Sequence, residues 1–278
     1  MTDARYQAAP VGTVDAHMHL YAPGLHKGST PFSVPHAELP AYQAVMKHVG
    51  IDRVVFVQSM LYGDDNSTML SGLEALGDSA RGIAVTQADA TDTLWDQLAS
   101  HGVIGLRAFM LNGGFLSWDE LPRLSARLAE RNWQLHLQLD GRELADRAAL
   151  LSDIQCPLVI DHVGKFLSPV EPEAPAFKAL LNLLAAGKTW VKLSGLYETS
   201  LTGGPGYEDT ARLARIVAKE APNRVLWASN WPHPNLQPAP DDRALVDLVR
   251  RIVPGEAEQQ LLFVQNAAEL FGFKGASA

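Results

Sequence analysis

Eight short runs of β-forming residues recur along the chain, separated by stretches with the spacing of amphipathic helices. The runs cover residues 13–17, 53–58, 82–86, 103–108, 134–139, 157–161, 189–194 and 224–229. Several are continuously apolar, which is typical of parallel strands buried on both faces. Apolar residues recur every three or four positions between the strands, most clearly over residues 121–131, 174–186 and 209–221.

Alternation of strands and helices predicts a parallel α/β fold. The length of 278 residues is close to the ~250 that are typical of a (β/α)8 barrel. No G-x-G-x-x-G motif follows the first strand, which argues against an open dinucleotide-binding sheet. We therefore predict one domain over residues 1–278, a single-domain (β/α)8 TIM barrel of the α/β class, with the barrel over about residues 11–271.

The charge balance excludes some classes of partner. The chain has 23 basic and 31 acidic side chains, a net charge of −8, so we expect no general nucleic-acid surface and no anionic-membrane surface. The first twelve residues lack the apolar core of a signal peptide, and no run approaches ~18 apolar residues, so we expect a cytoplasmic protein. Cys156, which is the single cysteine, is expected to be a buried core residue. The sequence leaves open whether the chain forms a homo-oligomer.

A long loop rich in proline and glycine follows the first strand. It covers residues 21–40 and includes His26 and His36. Active sites of barrel enzymes lie on the face where this loop begins, so it is either a substrate wall or lid, or a simple surface excursion.

Polar side chains follow several of the predicted strands, and in a barrel these strand ends meet at one mouth. Strand alternation puts His17 and His19 on the same side of the first strand. For His136, Asp140 and Lys192 we expect structural roles in the core or in ion pairs. The candidate site residues are His17, His19, His162 and Asn230 for catalysis, and Gln58, Arg107, Gln138, Lys165, Tyr197 and His233 for substrate binding.

Three motifs together resemble the amidohydrolase-related family. They are VDAHMH at residues 14–19, DHVGK at 161–165 and LWASNWPHP at 226–234, and the resemblance runs from about residue 11 to 271. Within the family, the likeness is to the lactonases that open 2-pyrone-4,6-dicarboxylate and to the D-galactarolactone isomerases. The resemblance implies a (β/α)8 barrel that performs acyl transfer on a small anionic lactone. It also implies that His17, His19 and His162 polarise the lactone carbonyl, while Arg107 and Lys165 hold carboxylates.

The chain departs from the metal-dependent members of this family. Those enzymes bind their ion with the strand-one histidines, further histidines or a modified lysine, and an aspartate after strand eight. Here Asn230 follows strand eight and strand four carries Arg107. An amide is a poor ligand for a transition metal, and Arg107 and Lys165 would repel a dication. We therefore predict no metal and no other cofactor, with a zinc ion held by three histidines as the alternative.

The same asparagine bears on the reaction. In the lactonases this position is an aspartate that activates water, whereas Asn230 cannot accept a proton at neutral pH. The isomerases resemble this chain in having asparagine at this position. Their sequences are also similar to this chain over residues 162–166 and 197–200. An isomerase needs no activated water, because a substrate hydroxyl attacks the acyl carbon, and well-oriented intramolecular attack can lower the barrier by ~7–11 kcal/mol.

We therefore predict a metal-independent isomerase of a sugar-acid (aldaric) lactone, in which His162 or His233 moves the proton. A lactonase with a histidine base is the main alternative. The others are a barrel that binds sugar acids without turnover, and a metal-dependent decarboxylase or deaminase.

Overall fold

The structure, a computed structural model, describes residues 8–22, 37–111, 114–234, 236 and 238–274. Its eight strands form one parallel sheet in sequential order, and this confirms the predicted (β/α)8 barrel. The strands are β1 (Val14–Met18), β2 (Arg53–Val57), β3 (Ala80–Ala84), β4 (Val103–Phe109), β5 (Gln134–Gln138), β6 (Leu158–Ile160), β7 (Thr189–Leu193) and β8 (Val225–Trp227).

One α-helix follows each strand on the outside of the barrel. These helices are α1 (Leu39–Val49), α2 (Ser67–Leu76), α3 (Asp92–Ser100), α4 (Leu121–Glu130), α5 (Leu144–Ser152), α6 (Pro175–Ala185), α7 (Glu208–Glu220) and α8 (Asp242–Ile252). The chain ends with α9 (Glu256–Gln260), a π-helical turn (Leu261–Gln265) and α10 (Asn266–Phe271). No helix in the described part of the chain is both long and apolar enough to cross a membrane.

The predicted strand boundaries differ from the observed ones mainly at β3, β6 and β8. β3 begins two residues earlier than predicted, because Ala80 and Arg81 already pair with β2 and Gly82 lies inside the strand. A side chain at Gly82 would lie 2.7 Å from Leu73, so glycine is needed there for packing and does not begin the strand. β6 and β8 end earlier than predicted, because the polar residues after them already belong to the loops at the mouth.

The seam between β1 and β8 is joined above the strands. The backbone N–H of His19 donates to the carbonyl of Trp231 at 2.8 Å, and that of Asn230 donates to the carbonyl of His17 at 2.9 Å. The buried carboxylate of Asp15 accepts bonds from the hydroxyl and the backbone N–H of Ser229, and from Tyr42 at 2.8 Å. These bonds connect the first strand to the loop that follows the last strand.

The interior of the barrel is apolar at the amino-terminal end of the strands. Strand residues such as Val14, Val55 and Trp190 pack there against Phe271, and the larger core lies between the sheet and the helices. A bulge in β1 shifts its register between Asp15 and Met18. Because apolar side chains fill the amino-terminal end, the open, polar end of the barrel is the carboxyl end of the strands, where the sequence predicts the site.

The loop predicted over residues 21–40 is described only at its two ends. Tyr21 and Ala37 pair with each other there in an antiparallel bridge. Residues 23–36, which include His26 and His36, lie outside the described residues.

Candidate active site

A cavity of about 280 Å³ opens at the carboxyl ends of the strands. Six of the ten predicted site residues line it, and its apolar wall includes Met60 and Phe109. The six are His19, Arg107, Gln138, His162, Lys165 and Asn230.

The other four predicted residues stand behind this wall. His17 is fully buried beneath His19, with the two Nε2 atoms 3.1 Å apart. The amide of Gln58 donates to the carbonyl of Asp65 at 2.6 Å and so holds the loop after β2. Tyr197 and His233 bond to each other, with 2.7 Å between the phenol oxygen and Nδ1. These positions give His17, Gln58, Tyr197 and His233 supporting contacts below or behind the cavity wall.

The floor of the site is a buried ion pair. Lys192 Nζ lies 2.9 Å from Asp161 Oδ1, and both side chains have no solvent exposure. Lys192 Nζ also lies 3.0 Å from His17 Nδ1 and 2.9 Å from His136 Nδ1, so its ammonium contacts two imidazoles as well as the carboxylate. Asp161 was not among the predicted site residues, and the apolar run before it gives no sign of its partners.

Burial and neighbouring cations keep the histidines of the site neutral. Burial and the charge of Lys192 hold the pKa of His17 well below 6.5, and burial with Arg107 lowers the pKa of His19 to about 3. Burial and Lys165 likewise lower the pKa of His162. Burial alone would raise the pKa of Asp161, but Lys192, His17 and Arg107 together hold it well below 3.8, so this carboxylate is ionised.

The hydrogen bonds assign a proton to each ring of the histidine pair. His19 Nδ1 lies 2.7 Å from the carbonyl of Val57, which only accepts, so Nδ1 carries the proton and Nε2 is an acceptor. His17 Nδ1 accepts from Lys192, so His17 Nε2 carries the proton that it donates to His19. The N–H of His17 is therefore used within the pair, where it supports His19 at the cavity wall from below.

The amidohydrolase resemblance raises the question of a metal ion, and the donors nearest to such a site are His17, Asp161 and His162. Two of the three are already in contact with the ammonium of Lys192. Arg107 lies 3.4 Å from the other oxygen of Asp161, so one carboxylate faces two cations. Little negative charge is left to balance a dication, and the residues present do not fit a divalent metal.

The loop after β7 brings a carboxylate into the cavity that the sequence prediction missed. Glu198 forms an ion pair with Lys165, and its Oε1 accepts a hydrogen bond of 2.6 Å from Asn230 Nδ2. The same oxygen lies 4.0 Å from His162 Nε2. Its position after strand seven was the available signal, because polar residues after barrel strands face the mouth.

Tight turns set the positions of these groups. Gly195 has a φ of +60°, and a Cβ there would lie 2.9 Å from Nδ1 of His162. His162, Val163 and Asn230 have φ values of 52°, 55° and 59°, in the left-handed region that side chains other than glycine seldom adopt. Such turns at the ends of β6 and β8 are typical of residues held in place for function.

The sequence of the chain is similar to those of several known proteins. Residues 14–273 match a family described as amidohydrolase. The chain is 33% identical over 270 residues to the D-galactarolactone isomerase of Agrobacterium fabrum, with 95% of this chain and 92% of that protein covered. It is 31% identical over 279 residues to a 2-pyrone-4,6-dicarboxylate hydrolase of Comamonas testosteroni, with 94% and 90% covered.

A solved structure from Agrobacterium tumefaciens without ligand is also similar. It superposes with a TM-score of 0.88 at 33% identity, and 95% of this chain and 97% of that chain are covered. The fold is therefore shared with this solved structure over most of both chains.

Proposed function

This chain belongs to the amidohydrolase family and is an enzyme, and from that premise we propose that it isomerises a sugar-acid lactone without a metal ion. The predicted resemblance to the family is confirmed by the match over residues 14–273. The proposed substrate is a small lactone that carries a carboxylate, and the proposed reaction moves the acyl group from one substrate oxygen to another.

The proposal rests on one observation, which is that position 230 carries an asparagine and not an acidic residue. Asn230 lines the cavity directly after β8, where a lactonase of this family would have an aspartate base. Its Nδ2 donates to Tyr197 at 2.9 Å and to Glu198 at 2.6 Å, so the amide is held in place and cannot take a proton from water. Asn230 itself thus supplies no base for water attack, whereas a bound hydroxyl next to the acyl carbon already has a high effective concentration.

The charges around the cavity suit an anionic sugar acid. Arg107 and Lys165 line it as cations, and Gln138 adds an amide that can bond to hydroxyl groups. A volume of about 280 Å³ is just below the ~300–1,000 Å³ that are typical of small-molecule sites, which fits a single sugar-acid ring.

In the proposed reaction, a hydroxyl of the open part of the substrate attacks the lactone carbonyl. The carbonyl oxygen gains negative charge, which the guanidinium of Arg107 in the cavity wall can stabilise. The ring oxygen then leaves as the second hydroxyl. A metal ion is not needed for this step, and the donor set around Asp161 does not favour one.

The first test is proton NMR of metal-analysed protein with D-galactaro-1,5-lactone, followed in time. We expect the 1,4-lactone to appear ahead of the free acid. Direct conversion to free acid would instead make the protein a lactonase, the activity named for the Comamonas testosteroni relative.

Replacement of the asparagine gives the second test. Asn230→Asp puts a carboxylate after β8, and we expect hydrolysis to rise at least ~10-fold because a general base contributes ~10²–10⁴ where it is well placed. Asn223→Asp, at an exposed position before β8, is the matched control and should change neither rate. Unchanged or slower hydrolysis by folded Asn230→Asp protein would count against the isomerase.

A further inference from the structure

Lactone isomerisation requires a proton to leave one substrate oxygen and reach another, and the reaction proposed above assigns no group to this transfer. We propose that Glu198 is the catalytic residue that accepts and returns this proton. This proposal rests on the proposed acyl transfer at the lactone carbonyl.

The position of Glu198 favours this role. It follows β7 at the end of a one-turn helix (Leu196–Glu198), and its carboxylate reaches across to the end of β8. Oε1 accepts the amide proton of Asn230 at 2.6 Å, and Oε2 pairs with Lys165. A carboxylate from strand seven therefore lies against the position where the family's lactonases place one on strand eight.

Both histidines that could carry the proton are already in contact with other side chains. His233 is bound at both ring nitrogens, to Tyr197 at 2.7 Å and to Asp242 at 3.0 Å, and it does not line the cavity. His162 Nδ1 is bound to Ser194 at 2.9 Å, and its Nε2 faces Glu198.

Asp161 is sealed beneath the histidines, where it is paired with Lys192. Among the described residues that line the cavity, Glu198 is the one carboxylate.

A single carboxylate can carry out both proton transfers of the reaction. The attacking hydroxyl gives its proton to Glu198 as its oxygen bonds to the acyl carbon. Glu198 then gives the proton to the ring oxygen as the bond between that oxygen and the acyl carbon breaks. Both oxygens are attached to the same tetrahedral carbon, so one group can reach both, and no proton is gained or lost overall.

Glu198→Gln tests the proposal, because it keeps the shape and the hydrogen bond to Asn230 but cannot take a proton. We expect kcat for isomerisation to fall at least ~100-fold, while KM changes less than about threefold. Glu208→Gln, an exposed glutamate at the start of α7, is the matched control and should leave both constants unchanged. A kcat for folded Glu198→Gln protein within a few-fold of the wild-type value would overturn the proposal.

Three further variants separate proton transfer from loss of the ion pair with Lys165. Glu198→Ala should regain activity in proportion to added formate, which places a free carboxylate in the vacated space. Lys165→Met, which breaks the same pair from the other side, should mainly raise KM. Should formate leave Glu198→Ala inactive while Glu198→Asp is also inactive, the role of Glu198 is to hold Lys165 and the proposal is wrong.

The outcome for the wild-type protein distinguishes the two proposals. If it forms free acid directly, the isomerase proposal fails, yet the same variants test Glu198 as the group that takes the proton from water. If it forms the 1,4-lactone and Glu198→Gln does so equally fast, the isomerase stands and Glu198 is not its proton carrier. Absence of turnover with every aldarolactone overturns both.

Discussion

At the scale of single residues, Lys192 has the most demanding environment in the site. Its side chain is fully buried, and its ammonium lies within 3.0 Å of one carboxylate oxygen and two imidazole nitrogens. Burial lowers its pKa to about 8, so it is still charged at neutral pH. The sequence analysis predicted a structural ion pair for this lysine, and the contact with Asp161 is such a pair. Through His17 the same ammonium also fixes which ring nitrogen of the histidine pair carries a proton.

Removal of this ammonium should be costly. In Lys192→Met, Asp161 would remain as a buried charge without its nearest partner, and breaking a buried pair in this way typically costs ~3–5 kcal/mol. We expect the free energy of unfolding in urea to fall by about that amount. Lys188→Met, at an exposed position just before β7, is the control and should change it by less than ~0.5 kcal/mol.

The double variant Asp161→Asn/Lys192→Met isolates the charge. If the ion pair is responsible, the double variant loses less stability than the sum of the two single variants. Strict additivity would show that the lysine acts through its packing.

At the scale of secondary-structure elements, the turns after β6 and β7 decide where the reactive groups lie. The turn after β7 passes so close to His162 that only glycine fits at position 195. The same turn leads to Glu198. A change in this turn therefore moves two groups that face the cavity together.

Gly195→Ala should reduce activity more than stability. The left-handed backbone costs alanine ~1–2 kcal/mol, and the added methyl group displaces His162. Gly272→Ala is the matched control, because Gly272 has nearly the same backbone angles after α10 and open space around its Cα. Gly272→Ala measures the backbone cost alone, so we expect Gly195→Ala to lose more free energy of unfolding by the cost of moving His162, and a loss of kcat of ~10-fold or more only for Gly195→Ala. Equal kcat values for the two would show that His162 tolerates the shift.

At the scale of the whole molecule, the barrel buries four neutral histidines around one ionised carboxylate. His17, His19, His136 and His162 all have pKa values lowered from 6.5, mainly by burial. In the unfolded chain each returns to its ordinary pKa and takes a proton below pH 6.5. The unfolded state therefore binds more protons than the folded state in this range, and stability falls as the pH falls.

We expect marked acid sensitivity as a result. Four protons taken up on unfolding correspond to a slope of roughly 5 kcal/mol per pH unit once the pH is well below 6.5. Urea unfolding at pH 7.5, 6.0, 5.5 and 5.0 would measure this slope. His136→Gln should lower it by about 1.4 kcal/mol per pH unit, whereas His101→Gln, on the surface, should leave it unchanged. A flat profile down to pH 5 would mean that these histidines are already charged in the folded protein.

The order of the eight strands was determined by the sequence itself, because apolar runs of strand length and three-to-four spacing are local properties of the chain. His19, His162 and Asn230 could be placed at the mouth in the same way, since polar residues that follow barrel strands commonly face it. Boundaries were less certain at β3, where only pairing with β2 showed that Gly82 lies inside the strand.

Only the tertiary structure decided which of the polar residues share a cavity and which support it from behind. Gln58, Tyr197 and His233 were predicted to face substrate, but their side chains are engaged by loop carbonyls or by each other. Glu198 was not predicted, and it reaches the end of β8 because the turn at Gly195 directs the chain back toward the mouth. Side-chain direction within loops depends on contacts between residues far apart in sequence, such as Glu198 with Lys165 and Asn230. Local sequence patterns do not encode contacts between residues that are far apart in the chain, so only the folded barrel shows these contacts.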